Sequence, residues 1–235
     1  MKKTMFWIIG IGVVVGVGVV TAAYFLQGGN NVAGRSKMVV SFIRNPDKHQ
    51  NLIVEAGSRC EDAPFAMPTT GMIGYVWNDS FRPGHHHTGL DIFSPDGLGL
   101  TPIYSVYDGY ITRLDGWKST VIIRHPEDPL NPGTQIWTYY THMADPDGNS
   151  FIVDAFPQGI TDQFIPEGTL LGYQGNYSGN PVKPSGIHLH IFIIKSNADG
   201  TFLNESDIKN TLDPSPYFGF SLTNEKVGNG IPLCP

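Results

Sequence analysis

Apolar and polar positions alternate in short runs over most of this chain, and one long apolar block stands at its start. From Met5 to Leu26 there are 22 residues without a charged side chain, preceded by Lys2 and Lys3. At 1.5 Å per residue a helix of that length spans roughly 33 Å, enough for a hydrocarbon core of about 30 Å. The apolar region of a signal peptide is shorter, about 7–15 residues, so the block reads as an uncleaved anchor. Thr21 and Ala23 keep cleavage after Ala23 as the alternative. The two lysines place the N-terminus in the cytoplasm and the remainder outside. The expected location is the cell membrane, single-pass with the C-terminal domain extracytoplasmic, or secreted if the segment is cut.

After the apolar block the pattern breaks up. Gln27–Gly34 is polar, Met38–Ile43 reads as a short strand, and Asn45–Gln50 is polar again, so residues 27–59 are expected to form a stalk. From Cys60 onward come short β-branched and aromatic runs: Ile103–Val106, Tyr110–Leu114, Thr120–Arg124, Gln135–Thr141 and Leu189–Lys195. Asp108-Gly109 and Asp115-Gly116 separate such runs and read as hairpin turns. No stretch after residue 27 carries a three-turn amphipathic helical pattern. The predicted organisation is a membrane segment over 1–26, a stalk over 27–59, and an all-β antiparallel domain over 60–235.

Composition sharpens this picture. With 28 Gly and 18 Pro among 235 residues, turns must be frequent and long helices few. The net charge is −6, and −8 once the membrane segment and its two lysines are set aside. That balance excludes a nucleic-acid partner, which requires a basic face. Cys60 and Cys234 are the two cysteines, one near each end of the outer part. Outside the cytoplasm such a pair is expected to form a disulfide, and closing so long a loop contributes about 5 kcal/mol in the chain-entropy account. Free thiols or metal ligands are the alternatives, although neither Cys has a CxxC neighbour.

The chemistry concentrates in histidine. Of eight His, five lie in two groups: His85-His86-His87-Thr88-Gly89-Leu90-Asp91 and His188-Leu189-His190. In a strand, residues i and i+2 share a face about 7 Å apart, so His188 and His190 can approach one centre. Asp91 opens a strand, and His87 lies four residues earlier across a turn containing Gly89. Two imidazoles and one carboxylate form a three-ligand set with an open fourth position, the pattern of catalytic zinc. His85 and His86 read as surface residues.

The ordered motifs resemble the M23 family of zinc metallopeptidases, the lysostaphin- and LytM-type peptidoglycan endopeptidases. They are His87-Thr88-Gly89-Leu90-Asp91, then Thr101-Pro102-Ile103 to Asp108-Gly109, then Tyr140-Thr141-His142. Glu167–Gly172, His188-Leu189-His190 and Leu212-Asp213-Pro214 follow, and the resemblance covers residues 67–218. It implies a barrel-sandwich hybrid fold with Zn2+ held by His87, Asp91 and His190. His142 and His188 become the catalytic histidines, and peptidoglycan peptides the substrate. Tyr140, two residues before His142, becomes either a hydrogen-bond donor to an oxyanion or a packed aromatic. His125 reads as structural or supporting. The sequence departs from the family in Ile191-Phe192 after the second His pair, and in long stretches at Ala144–Pro166 and Asn176–Ser185.

Three functions compete. The first is a zinc endopeptidase cutting cell-wall cross-links. The second is a non-catalytic envelope scaffold or hydrolase activator that keeps the fold, against which stands the survival of all five site residues. The third is a structural protein whose metal clips a loop, with His85 or His86 as fourth ligand.

Overall fold

The computed structural model describes residues 29–79 and 84–220, and side chains from Arg35 onward. The expected membrane segment at 1–26 and Cys234 lie outside these residues. Among the described residues no helix is long and apolar enough to cross a membrane.

The fold is mostly antiparallel β-sheet with few helices. Its strands are β1 (Ile53–Val54), β2 (Gly71–Ile73), β3 (Leu90–Phe93), β4 (Pro102–Tyr104), β5 (Gly109–Thr112) and β6 (Val121–His125). They continue as β7 (Ile136–Thr141), β8 (Gln163–Ile165), β9 (Leu170–Tyr173), β10 (His188–Lys195) and β11 (Thr211–Leu212). Nine strands form one sheet in the order β1-β2-β3-β10-β7-β6-β5-β8, with β11 also on β10, while β4 and β9 make a separate ribbon. β10 is the axis of the large sheet. One of its edges pairs with β7 from His190 to Lys195; the other takes β3 at His188–Ile191 and β11 at Ile193–Ile194.

The alternation that predicts β10 also divides the core. Leu189, Ile191 and Ile193 enter the main core with Ile92, Ile123 and Tyr140. Phe192 and Ile194 face the other way, onto Ile122 and Trp137. Burial on both faces is why this strand reads as a nearly continuous apolar run. At its N-terminal end the second face carries His188 and His190 in place of hydrocarbon.

Three expectations require correction. The segment 27–59 is more than a stalk. It contains the helix α1 (Gly29–Arg44), a 3-10 segment at Pro46–Leu52, and β1, which pairs with β2. Met38–Ile43 is accordingly helical and not a strand. Val39 and Phe42, three residues apart, lie on one helical face and are buried against Met72 and Phe93. Six residues are too few to separate the two periods, and the face that α1 covers belongs to distant strands.

Nor does Asp108-Gly109 close a hairpin, because β4 pairs with β9 and the chain crosses to the large sheet before β5. A Cβ on Gly109 would lie 2.7 Å from the Arg124 carbonyl oxygen. Glycine serves close strand approach there. Asp115-Gly116 does lie between paired strands, β5 and β6, with Gly116 at φ +79°. Cys60 is buried in the main core.

Candidate metal and catalytic site

Strand register brings the site together. Asp91 on β3 is the direct cross-strand partner of His190 on β10, and Phe93 is the partner of His188. Residues opposite one another share a face, so the β10 histidines and the β3 carboxylate emerge on the same side. His87 reaches them from the loop before β3. Gly89 permits the approach: a Cβ there would lie 2.8 Å from His190 Nε2 and collide with the Ile191 carbonyl oxygen.

Among the described residues, His87, Asp91 and His190 form a group able to hold a metal ion, each offering one atom within 4.8 Å of the others. Asp91 Oδ1 lies 3.2 Å from His87 Nε2, 3.5 Å from His190 Nδ1 and 3.6 Å from His188 Nε2. The His87 and His190 rings stack at 4.5 Å between centroids.

Three imidazoles share one mode of orientation. Nδ1 of His87 donates to the Val76 carbonyl at 2.9 Å, Nδ1 of His188 to Gly186 at 2.7 Å, and Nδ1 of His142 to Tyr177 at 2.6 Å. A ring held this way presents its Nε2 lone pair to the site, as metal-binding and proton-accepting histidines require. His87 Nε2 then faces a carboxylate oxygen at 3.2 Å. Two buried acceptors at that separation need a proton or a cation between them. The residues therefore fit a metal ion.

Electrostatics follow from burial and from Asp91. Burial alone would raise the Asp91 carboxyl, but His87, His190 and His188 together hold it well below the usual carboxylate range. Burial would lower His87, and the Asp91 charge outweighs it, leaving His87 raised. His190 is pushed well below its ordinary value by burial, against the pull of Asp91. Burial, with His188 beside it, lowers His142 to about 4, so that imidazole is neutral at pH 7. Burial likewise raises Asp79, against the Val76 amide and Arg35.

His142 enters the site by an unusual route. β7 ends at Thr141, and His142 has φ +73°, a left-handed conformation costing of order 1–3 kcal/mol in a non-glycine residue. The turn swings its ring to 4.4 Å from that of His188. Gly175 packs against this turn, where a Cβ would strike the carbonyl oxygens of His142 and Ala144. Its own carbonyl accepts the His188 amide at 3.1 Å, tying the two histidines to one support.

Tyr140 does not share that position. Its ring is fully buried in the main core, its hydroxyl accepts the Val106 amide at 3.1 Å, and burial pushes its pKa up to about 12. It is the packed aromatic of the two alternatives. His86 is exposed and paired with Asn78 at 2.8 Å, and the group able to hold a metal contains His87. His125 is buried away from the site between the Asp108 carbonyl and Thr138.

No family profile and no curated protein sequence matches the chain. Solved structures do. The catalytic domain of the antimicrobial peptidase lysostaphin from Staphylococcus simulans is 16% identical over 63% of this chain and 92% of its own, with a TM-score of 0.42. A prophage-encoded M23 protein of Enterococcus faecalis is 19% identical over 64% of this chain and 96% of its own, at 0.37. An M23 peptidase from Pseudomonas aeruginosa is 18% identical over 74% of this chain and 58% of its own, at 0.38. The chain resembles the M23 peptidases. Within it, three of the six ordered motifs meet at one place: the His87–Asp91 loop, the end of β7 and the start of β10.

Proposed function

We propose that this chain is an extracytoplasmic, zinc-dependent endopeptidase that hydrolyses peptide cross-links of peptidoglycan, with residues 1–26 as its membrane anchor. The observation that carries the reading is the three-residue group His87, Asp91 and His190 with two further imidazoles, His142 and His188, oriented beside it.

His87, Asp91 and His190 would hold the metal. Zinc in such a site polarises a carbonyl and makes a water deprotonable near neutral pH. The remaining work falls to the chain. His142 holds its proton at Nδ1 against the Tyr177 carbonyl, so Nε2 is the atom that accepts a proton at pH 7. His188, fixed by the Gly186 carbonyl and by stacking on Phe93 at 5.0 Å, orients the reacting group or steadies developing charge. A purely structural metal site would have no use for two such histidines outside its ligand group.

Incubation of the zinc-loaded protein with purified peptidoglycan, followed by mass analysis of soluble muropeptides, tests the proposal. New amino and carboxyl ends within the peptides support it. Intact sacculi favour the non-catalytic scaffold.

A further inference from the structure

Arg35 of α1 is buried, with 3% of its surface exposed, and its guanidinium forms an ion pair with Asp79. Asp79 organises the loop that presents His87. Its Oδ2 accepts the Val76 amide at 3.0 Å, and its carbonyl accepts the His87 amide at 2.8 Å. The Val76 carbonyl accepts the His87 ring proton, and the Asn78 amide donates to the His87 carbonyl at 2.7 Å. Backbone amide, backbone carbonyl and imidazole of His87 are thus all held by residues 76–79.

The adjacent position of α1 repeats the connection. The Tyr75 hydroxyl donates to Ser36 Oγ at 3.0 Å, and the Tyr75 carbonyl accepts the Asp91 amide at 2.9 Å. Two neighbouring helical residues therefore reach the loop that fixes two members of the metal-binding group.

We propose that Arg35 is a positioning residue for His87, acting through Asp79, so that this ion pair sets the metal affinity of the site. The proposal rests on the metal reading given above. Without the guanidinium, a buried Asp79 carboxylate must take a proton or turn toward water. Either change loosens its hold on the Val76 amide, and with it the carbonyl that fixes the His87 ring. Loss of a group that orients a metal ligand typically lowers metal affinity about 10–100-fold.

The test uses the full-length chain in detergent with three variants: Arg35→Met, Arg35→Lys and Phe42→Leu. Phe42 packs α1 on Met72 and Phe93 through apolar contact and is not part of the ion pair. Zinc affinity is read by chelator competition, and hydrogen exchange of the Val76, Asn78 and His87 amides is read on metal-free protein. Arg35→Met should weaken zinc about 10–100-fold and speed exchange at those amides. Arg35→Lys, which keeps the charge without the planar fork, should fall between that variant and wild type. Phe42→Leu should lower the melting temperature and move neither readout. Unchanged affinity and exchange in Arg35→Met, or equal changes in Phe42→Leu, would overturn the proposal. A wild-type chain that holds no zinc would sink the metal reading instead, and the exchange measurement would still decide whether Arg35 orders the His87 loop.

Discussion

Asp91 lies directly opposite His190 across the β3–β10 ladder, and its Oδ1 approaches imidazole nitrogens of three histidines within 3.6 Å. A buried carboxylate so surrounded is stable only with positive charge among its neighbours. Asp91→Ala should therefore lose most bound zinc. Elemental analysis of wild type should give near one zinc per chain, and normal content in both Asp91→Ala and His190→Ala would rule out the assignment.

Gly89→Ala tests the steric side of the same arrangement. The added Cβ meets His190 Nε2 at 2.8 Å and the backbone of Ile191, so either the ring or β10 must shift. The expected result is a loss of about 1–3 kcal/mol in stability together with weaker zinc binding. Urea unfolding and chelator competition would measure both. A variant with wild-type values would mean that the loop has room the geometry denies it.

His125 gives a prediction in pH. Burial lowers its pKa from the ordinary 6.5 to about 4, so the unfolded chain takes up this proton first as pH falls. Its contribution is whole above pH 6.5 and is lost between there and pH 4, amounting to about 3 kcal/mol. The stability difference between pH 7 and pH 4.5 should be about 2–3 kcal/mol smaller in His125→Gln than in wild type. Parallel stability curves for the two proteins would contradict this.

The strands were legible because β-branched alternation marks them, and β6, β7 and β10 begin within one residue of their expected starts. The cluster of histidines around Asp91 was legible because i, i+2 spacing and the His87–Asp91 loop each have a direct geometric meaning, whereas the choice of His190 over His188 as the third ligand rested on the resemblance alone. What escaped prediction depended on distant partners. α1 is helical because Met72 and Phe93 offer a face to Val39 and Phe42, and no local period over 38–43 reveals it. Alternation places His142 on the side of Tyr140, and only the positive φ at His142 redirects it toward His188. The signal for that turn lies 33 residues away at Gly175, which the turn packs against. Arg35 and Asp79, 44 residues apart, were likewise beyond reach of any local pattern.

In the proposed reading His142 and His188 act on substrate while His87, Asp91 and His190 hold the metal. It is tested most directly by measuring zinc content and muropeptide release side by side in His142→Ala and His188→Ala. Both variants should keep near one zinc per chain and the wild-type fold, and lose about 10²–10⁴-fold in hydrolysis, as expected for a group that works only in the transition state. Full hydrolysis in either variant, or loss of zinc from both, would contradict the account.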